Sequence, residues 1–156
     1  MACVLAARTR LKNGHAQARE VKATKVMAVA DRHGLPIAVG IASGERHETK
    51  LVDLTLGLRF LKHSPKRLIG DKAYDSDTLD AEMARRGIDM IAPNREDHVK
   101  NQDRRKLRRY KHRWHVERLF AWIFQYRRPV TRYEHKACNF LGLLRISCIA
   151  ILVRRV

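Results

Sequence analysis

Apolar residues along this chain follow two different periods. Between Thr24 and Ala42 they form two compact runs, TKVMAVA and LPIAVGIA, separated by Asp31-Arg32-His33-Gly34. Short, partly β-branched runs around a D-x-x-G turn predict an antiparallel hairpin. From His47 to Lys62 the period changes. Leu51, Leu54, Leu58 and Leu61 recur every three or four residues, which predicts an amphipathic helix with those leucines as its buried stripe. Ser64-Pro65 ends it. Arg67 to Gly70, RLIG, predicts a very short strand with Asp71 at its end. Ser76 to Arg86 predicts a second helix, capped by Ser76 or Asp77, with Leu79 and Met83 inward and Gly87 as its stop. Ile88 to Ala92 predicts another strand, closed by Pro93, and Asn94 to Lys106 a charged loop. The pattern is helical again from Leu107 to about Tyr126, with Val116, Leu119, Phe120 and Ile123 as the apolar stripe, and from Ala137 to Val153.

This order of elements predicts an α/β arrangement, a mixed sheet flanked by helices. One hairpin and two short strands make a small sheet, so a further strand is wanted upstream. Residues 1–22, rich in Ala, Arg and Lys, do not obviously supply it. They are expected to be a poorly ordered N-terminal remnant, with 23–156 as the folded domain, a sheet lacking its first strand.

Charge sharpens the picture. The chain has 33 Lys and Arg against 16 Asp and Glu, a formal net charge of +17, while 45% hydrophobic residues argue against disorder. Such a surplus attracts polyanions. Nucleic acid is the first candidate partner, through phosphate neutralisation, and an anionic membrane surface the second. Cys3, Cys138 and Cys148 have no paired spacing. They read as reduced thiols of a cytoplasmic protein, the last two as small hydrophobes within a helix. The opening MACVLAARTR makes a poor signal peptide. The apolar run from Ala137 to Val153 contains Arg145 and is shorter than the ~20 residues of a typical span, so a buried helix is expected and no membrane.

Two carboxylates carry the candidate chemistry. Asp71 ends a short strand, and ligand sites in open α/β sheets lie at that carboxyl edge; Gly70 before it permits close approach of a backbone or a phosphate. The competing role is a turn former or helix cap. Glu117 flanks the apolar stripe of its helix, one turn from Arg113 and two from Tyr110, and the competing role is a simple pair with Arg113. Around it lie Arg104, Arg105, Lys106, Arg108, Arg109, Lys111, Arg113 and Arg118, a run that suits phosphate contacts. Mg²⁺ takes one or two carboxylates plus water and phosphate oxygens, and a pair of such ions supports in-line attack on a phosphodiester. Trp114, Trp122 and Tyr126 sit at helical spacing, which favours core packing over base stacking. His33, His47, His98, His112 and His115 form no metal-site spacing.

Several motifs, in order, resemble DDE transposases of the insertion-sequence-four and -five type. Ile69 to Ser76, IGDKAYDS, is similar to the family's second-aspartate motif, and AEMARRGIDMIAP continues it. Tyr110, Arg113, Glu117 and Arg118 resemble the signature around its catalytic glutamate, with FAW, YRR and RYE following. TKVMAVADRHGLPIAVGIA resembles the hairpin before the first helix. The resemblance spans Ala23 to the C-terminus. It implies an RNase H-like fold, a site for two divalent ions (Mg²⁺ or Mn²⁺) held by Asp71 and Glu117, and endonuclease and strand-transfer chemistry at insertion-sequence ends. Phosphate contacts are expected from Arg104, Arg105, Arg108, Arg109 and Arg113, with Arg127 and Arg128 assisting, and Lys72 beside the metal site. Three departures stand out. Phe124 occupies the place of a Lys or Arg seven positions after the glutamate, residues 1–22 contain no Asp for the first catalytic position, and no N-terminal DNA-recognition region is present. The expectation is a truncated or split-frame chain that binds DNA with little strand transfer, alone, as a homo-oligomer, or with an upstream-frame product. The alternatives are a non-catalytic DNA-binding regulator and a structural RNA-binding protein.

Overall fold

The computed structural model describes residues 2–11, 23–94 and 110–155. Five strands form one mixed sheet: β1 (Ala2–Leu11), β2 (Thr24–Ala30), β3 (Pro36–Ser43), β4 (Arg67–Ile69) and β5 (Asp89–Ile91), in the order β3-β2-β1-β4-β5. The first three form an antiparallel meander, and β1–β4 and β4–β5 are parallel. The helices among the described residues are α1 (Val52–Gly57), α2 (Asp77–Arg85), α3 (Trp114–Ile123), the single turn α4 (Arg127–Val130) and α5 (Ala137–Arg155).

The predicted hairpin forms as expected. Asp31 Oδ1 accepts from the backbone N–H groups of His33 (2.7 Å) and Leu35 (2.8 Å), and Gly34 takes φ +77°, a region open to glycine without a side-chain penalty.

β1 corrects the expectation for the N-terminus. Residues 2–11 form no loose remnant but the middle strand of the sheet, pairing Val4↔Ala30 and Ala7↔Met27 on one side and Cys3↔Leu68 on the other. The expected missing strand is therefore present. Its sequence, ACVLAARTRL, is alanine-rich and opens on an unbroken apolar run. Alanine has weak strand propensity, and a strand covered on both faces need not alternate. Pairing on both edges, invisible to a local window, sets its conformation. Residues 12–22 lie outside the described part.

Successive residues of β2 and β4 feed opposite cores. Met27, Val29, Leu68 and Cys3 pack beneath α1 and α2 with Leu51, Val52, Leu56, Tyr74, Leu79 and Met83. Val26, Ala28 and Ile69 pack beneath α3 and α5 with Val116, Leu119, Phe120, Ile123, Phe140, Leu144 and Cys148. Each fully buried Leu, Ile or Phe contributes about 1.5–3 kcal/mol by leaving water.

Two helices depart from their sequence patterns. The one expected over His47 to Lys62 is a 3₁₀ turn, Glu48–Leu51, followed by the short α1. Leu54 and Leu61 are exposed, while Val52, Thr55 and Leu56 turn inward. The tighter 3₁₀ turn shifts the helical phase. After Gly57 the chain turns back to the sheet edge, with the Phe60 N–H donating to the Ile37 carbonyl at 2.8 Å. α5 buries only one face, against β3 and α3. Ile146, Ile149 and Val153 point to solvent, and by length and composition alone the helix could cross a membrane. Cys148 lies in its buried face, whereas Cys138 in its first turn is exposed.

Candidate functional site

Asp71 follows β4 and caps a 3₁₀ turn, Lys72–Tyr74. Its Oδ1 accepts from the Ala73 N–H at 2.9 Å, and its carbonyl accepts from the Tyr74 N–H at 3.0 Å. The turn-forming role is thus real, and it fixes where the carboxylate sits. Gly70 shows how. A Cβ there would lie 2.7 Å from the Tyr74 ring and 2.8 Å from Met90 Cε, so the close approach foreseen at this glycine is made by an aromatic ring. Tyr74 is fully buried in the core beneath α1 and α2. Burial pushes its phenol pKa far above the ordinary range, with the Glu48 and Asp71 charges adding to the rise.

Asp71 itself lies toward the other core. Ile69 packs under α3, and Asp71 stands two residues on with extended backbone (φ −85°, ψ −175°), so strand alternation places it on the α3 side of the sheet. β1 runs parallel beside it. The register Val4↔Ile69, continued by two residues, sets position 6 next to Asp71. Ala6 pairs with Ala28, whose side chain belongs to the α3 core. Position 6 is thus the β1 backbone position beside Asp71, and no residue of β1 is acidic.

Glu117 occupies the first turn of α3, its side chain 57% exposed, and pairs with Arg113 at 2.7 Å. Arg113 also donates to the Tyr110 hydroxyl at 3.1 Å. Helical phase puts Tyr110, Arg113, Glu117 and Phe124 on one flank of the buried stripe. The opposite flank is built differently. Arg118 stacks on Trp114 (4.5 Å) and Trp122 (4.9 Å), Arg155 covers Trp122 at 3.7 Å, and Arg118 donates to the His33 carbonyl. The two tryptophans serve as stacking plates for arginine, and neither belongs to the fully buried core. Phe124 stacks on Phe120 at 5.8 Å, an apolar use of the position that departs from the family pattern.

The remaining expected contact residues divide simply. Lys72, Arg127 and Arg128 are exposed, and Arg128 approaches Glu134 at 3.7 Å. Arg104, Arg105, Arg108 and Arg109 lie outside the described residues. Among the described residues no group of three His, Cys, Asp or Glu side chains converges to hold a metal. Asp71 and Glu117 lie on one side of the sheet.

The family model for the transposase DDE domain matches residues 4–152. The chain belongs to that family. The DDE domain is also 28% identical over 132 residues to a Burkholderia cepacia protein assigned as a transposase for insertion sequence element IS402. The match covers 79% of this chain and 59% of that relative, so the DDE domain spans under two thirds of the relative's length.

One charged residue of the DDE domain lies where its local sequence pattern shows only a strand. Lys25, predicted only as part of a strand, is buried. Its Nζ donates to the Arg46 carbonyl at 2.8 Å and lies 3.5 Å from Glu48 Oε1. A lysine inside an apolar run, followed some twenty residues later by an unassigned glutamate, was the available signal.

Proposed function

We propose that this DDE domain acts on DNA phosphodiesters at insertion-sequence ends, as an RNase H-like endonuclease and strand-transfer unit whose Asp71 and Glu117 bind Mg²⁺ or Mn²⁺. The observation that carries this reading is that the end of β4 and the helix bearing Glu117 share one side of the sheet. The strand order β3-β2-β1-β4-β5, with β1 antiparallel to β2 and parallel to β4, supports the RNase H-like assignment.

The donor chemistry fits a hard cation. Carboxylates and backbone oxygens suit Mg²⁺, which needs only one or two carboxylates and fills its shell with water and phosphate oxygens. Ions held by Asp71 and Glu117 would supply activation of the attacking hydroxyl and stabilisation of the leaving oxygen. The protein's own residues do the rest. Arg113 holds Glu117 in place, and the Arg113 pKa rises through that hydrogen bond. Lys72, Arg127 and Arg128, with Arg104, Arg105, Arg108 and Arg109, hold backbone phosphates. The surplus of positive charge makes this grip strongly salt-dependent. Cytoplasmic location and association with a second copy or an upstream-frame product belong to the same proposal.

Calorimetric titration of Mn²⁺ into the wild-type chain and into Asp71→Ala and Glu117→Ala tests it. Weak binding lost in both variants supports one shared site. Binding unchanged in either variant overturns the assignment. The lack of an acid in β1 favours a second reading, a non-catalytic DNA-binding regulator. Ala6→Asp separates the two: tighter Mn²⁺ binding that still requires Asp71 supports the nuclease fold, and unchanged binding supports the regulator.

A further inference from the structure

The sheet face opposite the two carboxylates carries a buried charged cluster. Lys25, at the start of β2, keeps 8% of its side-chain surface in contact with solvent, and Glu48, in the 3₁₀ turn after β3, keeps 20%. Tyr74 is fully buried, its hydroxyl lies 4.0 Å from Met27 Sδ, and the Glu48 carboxylate is near enough for its charge to raise the phenol pKa. The turns Glu48–Leu51 and Lys72–Tyr74 pack against one another.

A buried ion pair seldom adds net stability over an apolar pair of the same shape, because both charges lose their hydration. What it provides is a directional, fixed geometry. Here an ion pair joins Lys25 to Glu48, the Glu48 turn packs against the Tyr74 turn, and the Tyr74 ring presses on Gly70 next to the turn that Asp71 caps. Each link joins a different segment: β2, the turn after β3, and the turn after β4.

We propose that Lys25, Glu48 and Tyr74 form a strut through the sheet edge that positions the Asp71 carboxylate, making them positioning residues of the site on the opposite face. The importance of that carboxylate rests on the proposed function; the strut itself does not.

Amide hydrogen exchange tests the strut without metal or DNA. The Ala73 N–H, bonded to Asp71 Oδ1, reports the turn. The Gly34 N–H, bonded to the Asp31 carbonyl at 3.0 Å, is the control in a distant turn. In Glu48→Gln, Ala73 exchange should rise by about tenfold or more with Gly34 unchanged, the mark of local opening. Lys25→Arg, which keeps the charge, should leave both amides as in wild type. Tyr74→Phe, which spares the Lys25–Glu48 pair, should repeat the Ala73 effect and serves if Glu48→Gln does not fold. Equal acceleration of both amides, or no change at Ala73, overturns the proposal. Mn²⁺ titration of Asp71→Asn, run alongside, reports on the functional reading: loss of selective Ala73 exchange sinks the strut, and unchanged Mn²⁺ binding in Asp71→Asn sinks the metal site alone.

Discussion

Asp31 and Asp71 each end a strand, each accept backbone N–H groups through Oδ1, and each stand near a glycine with no room for a side chain. The two turns nevertheless serve different ends. In the first, the glycine follows the aspartate, adopts φ +77°, and lies against the His115 carbonyl and the Arg118 guanidinium of α3. In the second, the glycine precedes the aspartate and lies under a buried tyrosine ring. The Asp31 turn seats a helix on a hairpin. The Asp71 turn anchors an aromatic in one core and leaves its carboxylate on the other side of the sheet. What presses on the glycine distinguishes the connector from the turn of the proposed site.

The largest difference between the turns should appear on adding a methyl group. Gly70→Ala forces a fully buried ring and a buried methionine apart and should cost about 2–3 kcal/mol, the upper part of the range of overpacked cores. Gly34→Ala meets a flexible arginine end and a left-handed backbone, and should cost about 1–2 kcal/mol. Urea unfolding of both variants decides; a Gly34→Ala cost equal to or above that of Gly70→Ala breaks the comparison.

A smaller effect separates the carboxylates themselves. Asp31→Ala removes an acceptor from two backbone amides and should destabilise by about 1 kcal/mol. Asp71→Asn keeps an acceptor for Ala73 and should stay within about 0.5 kcal/mol, while weakening Mn²⁺ binding. Thermal melts of the pair check this, and a Asp71→Asn loss as large as that of Asp31→Ala would make Asp71 chiefly structural.

The smallest effect is on pH dependence, and only the Asp31 turn should show it. Burial lowers the His115 pKa below 6.5, helped by the charges of Arg118, His112 and His33 and opposed by Asp31. The unfolded chain therefore takes up that proton first as pH falls. Stability from this group is complete above about 6.5, declines as pH drops toward the lower folded value, and then levels off. Denaturation of wild type and His115→Gln between pH 7.5 and 5 should show the wild-type curve falling more steeply; parallel curves would remove His115 from the account.

Much of the fold was legible because its signals are local. The hairpin turn, the short strand before Asp71, the stop at Gly87 (φ +70°) and the stripe Val116, Leu119, Phe120 and Ile123 all lie where periodicity and turn chemistry put them. β1 was not legible, since its partners lie some twenty and sixty residues away. Nor was the phase of the helix after His47, where a 3₁₀ start rotated the leucine stripe out of register. Asp71 and Glu117, the proposed site, could be named from motif and flank. The Lys25–Glu48–Tyr74 link could not, because three segments meet only in the folded sheet.

The central place of β1 also orders assembly in time. Its antiparallel partner β2 lies about two dozen residues along, so β1, β2 and β3 can zip together as a meander from nearby contacts. Its parallel partner β4 must close a loop of roughly sixty residues first, the kind of non-local pairing that slows folding. Until that closure, one long edge of β1 stands open, and the turn that carries Asp71 has no sheet to lean on. A nascent chain is therefore exposed to edge-to-edge mispairing for as long as β4 is delayed, and the turn that carries Asp71 is among the last parts of the sheet to settle.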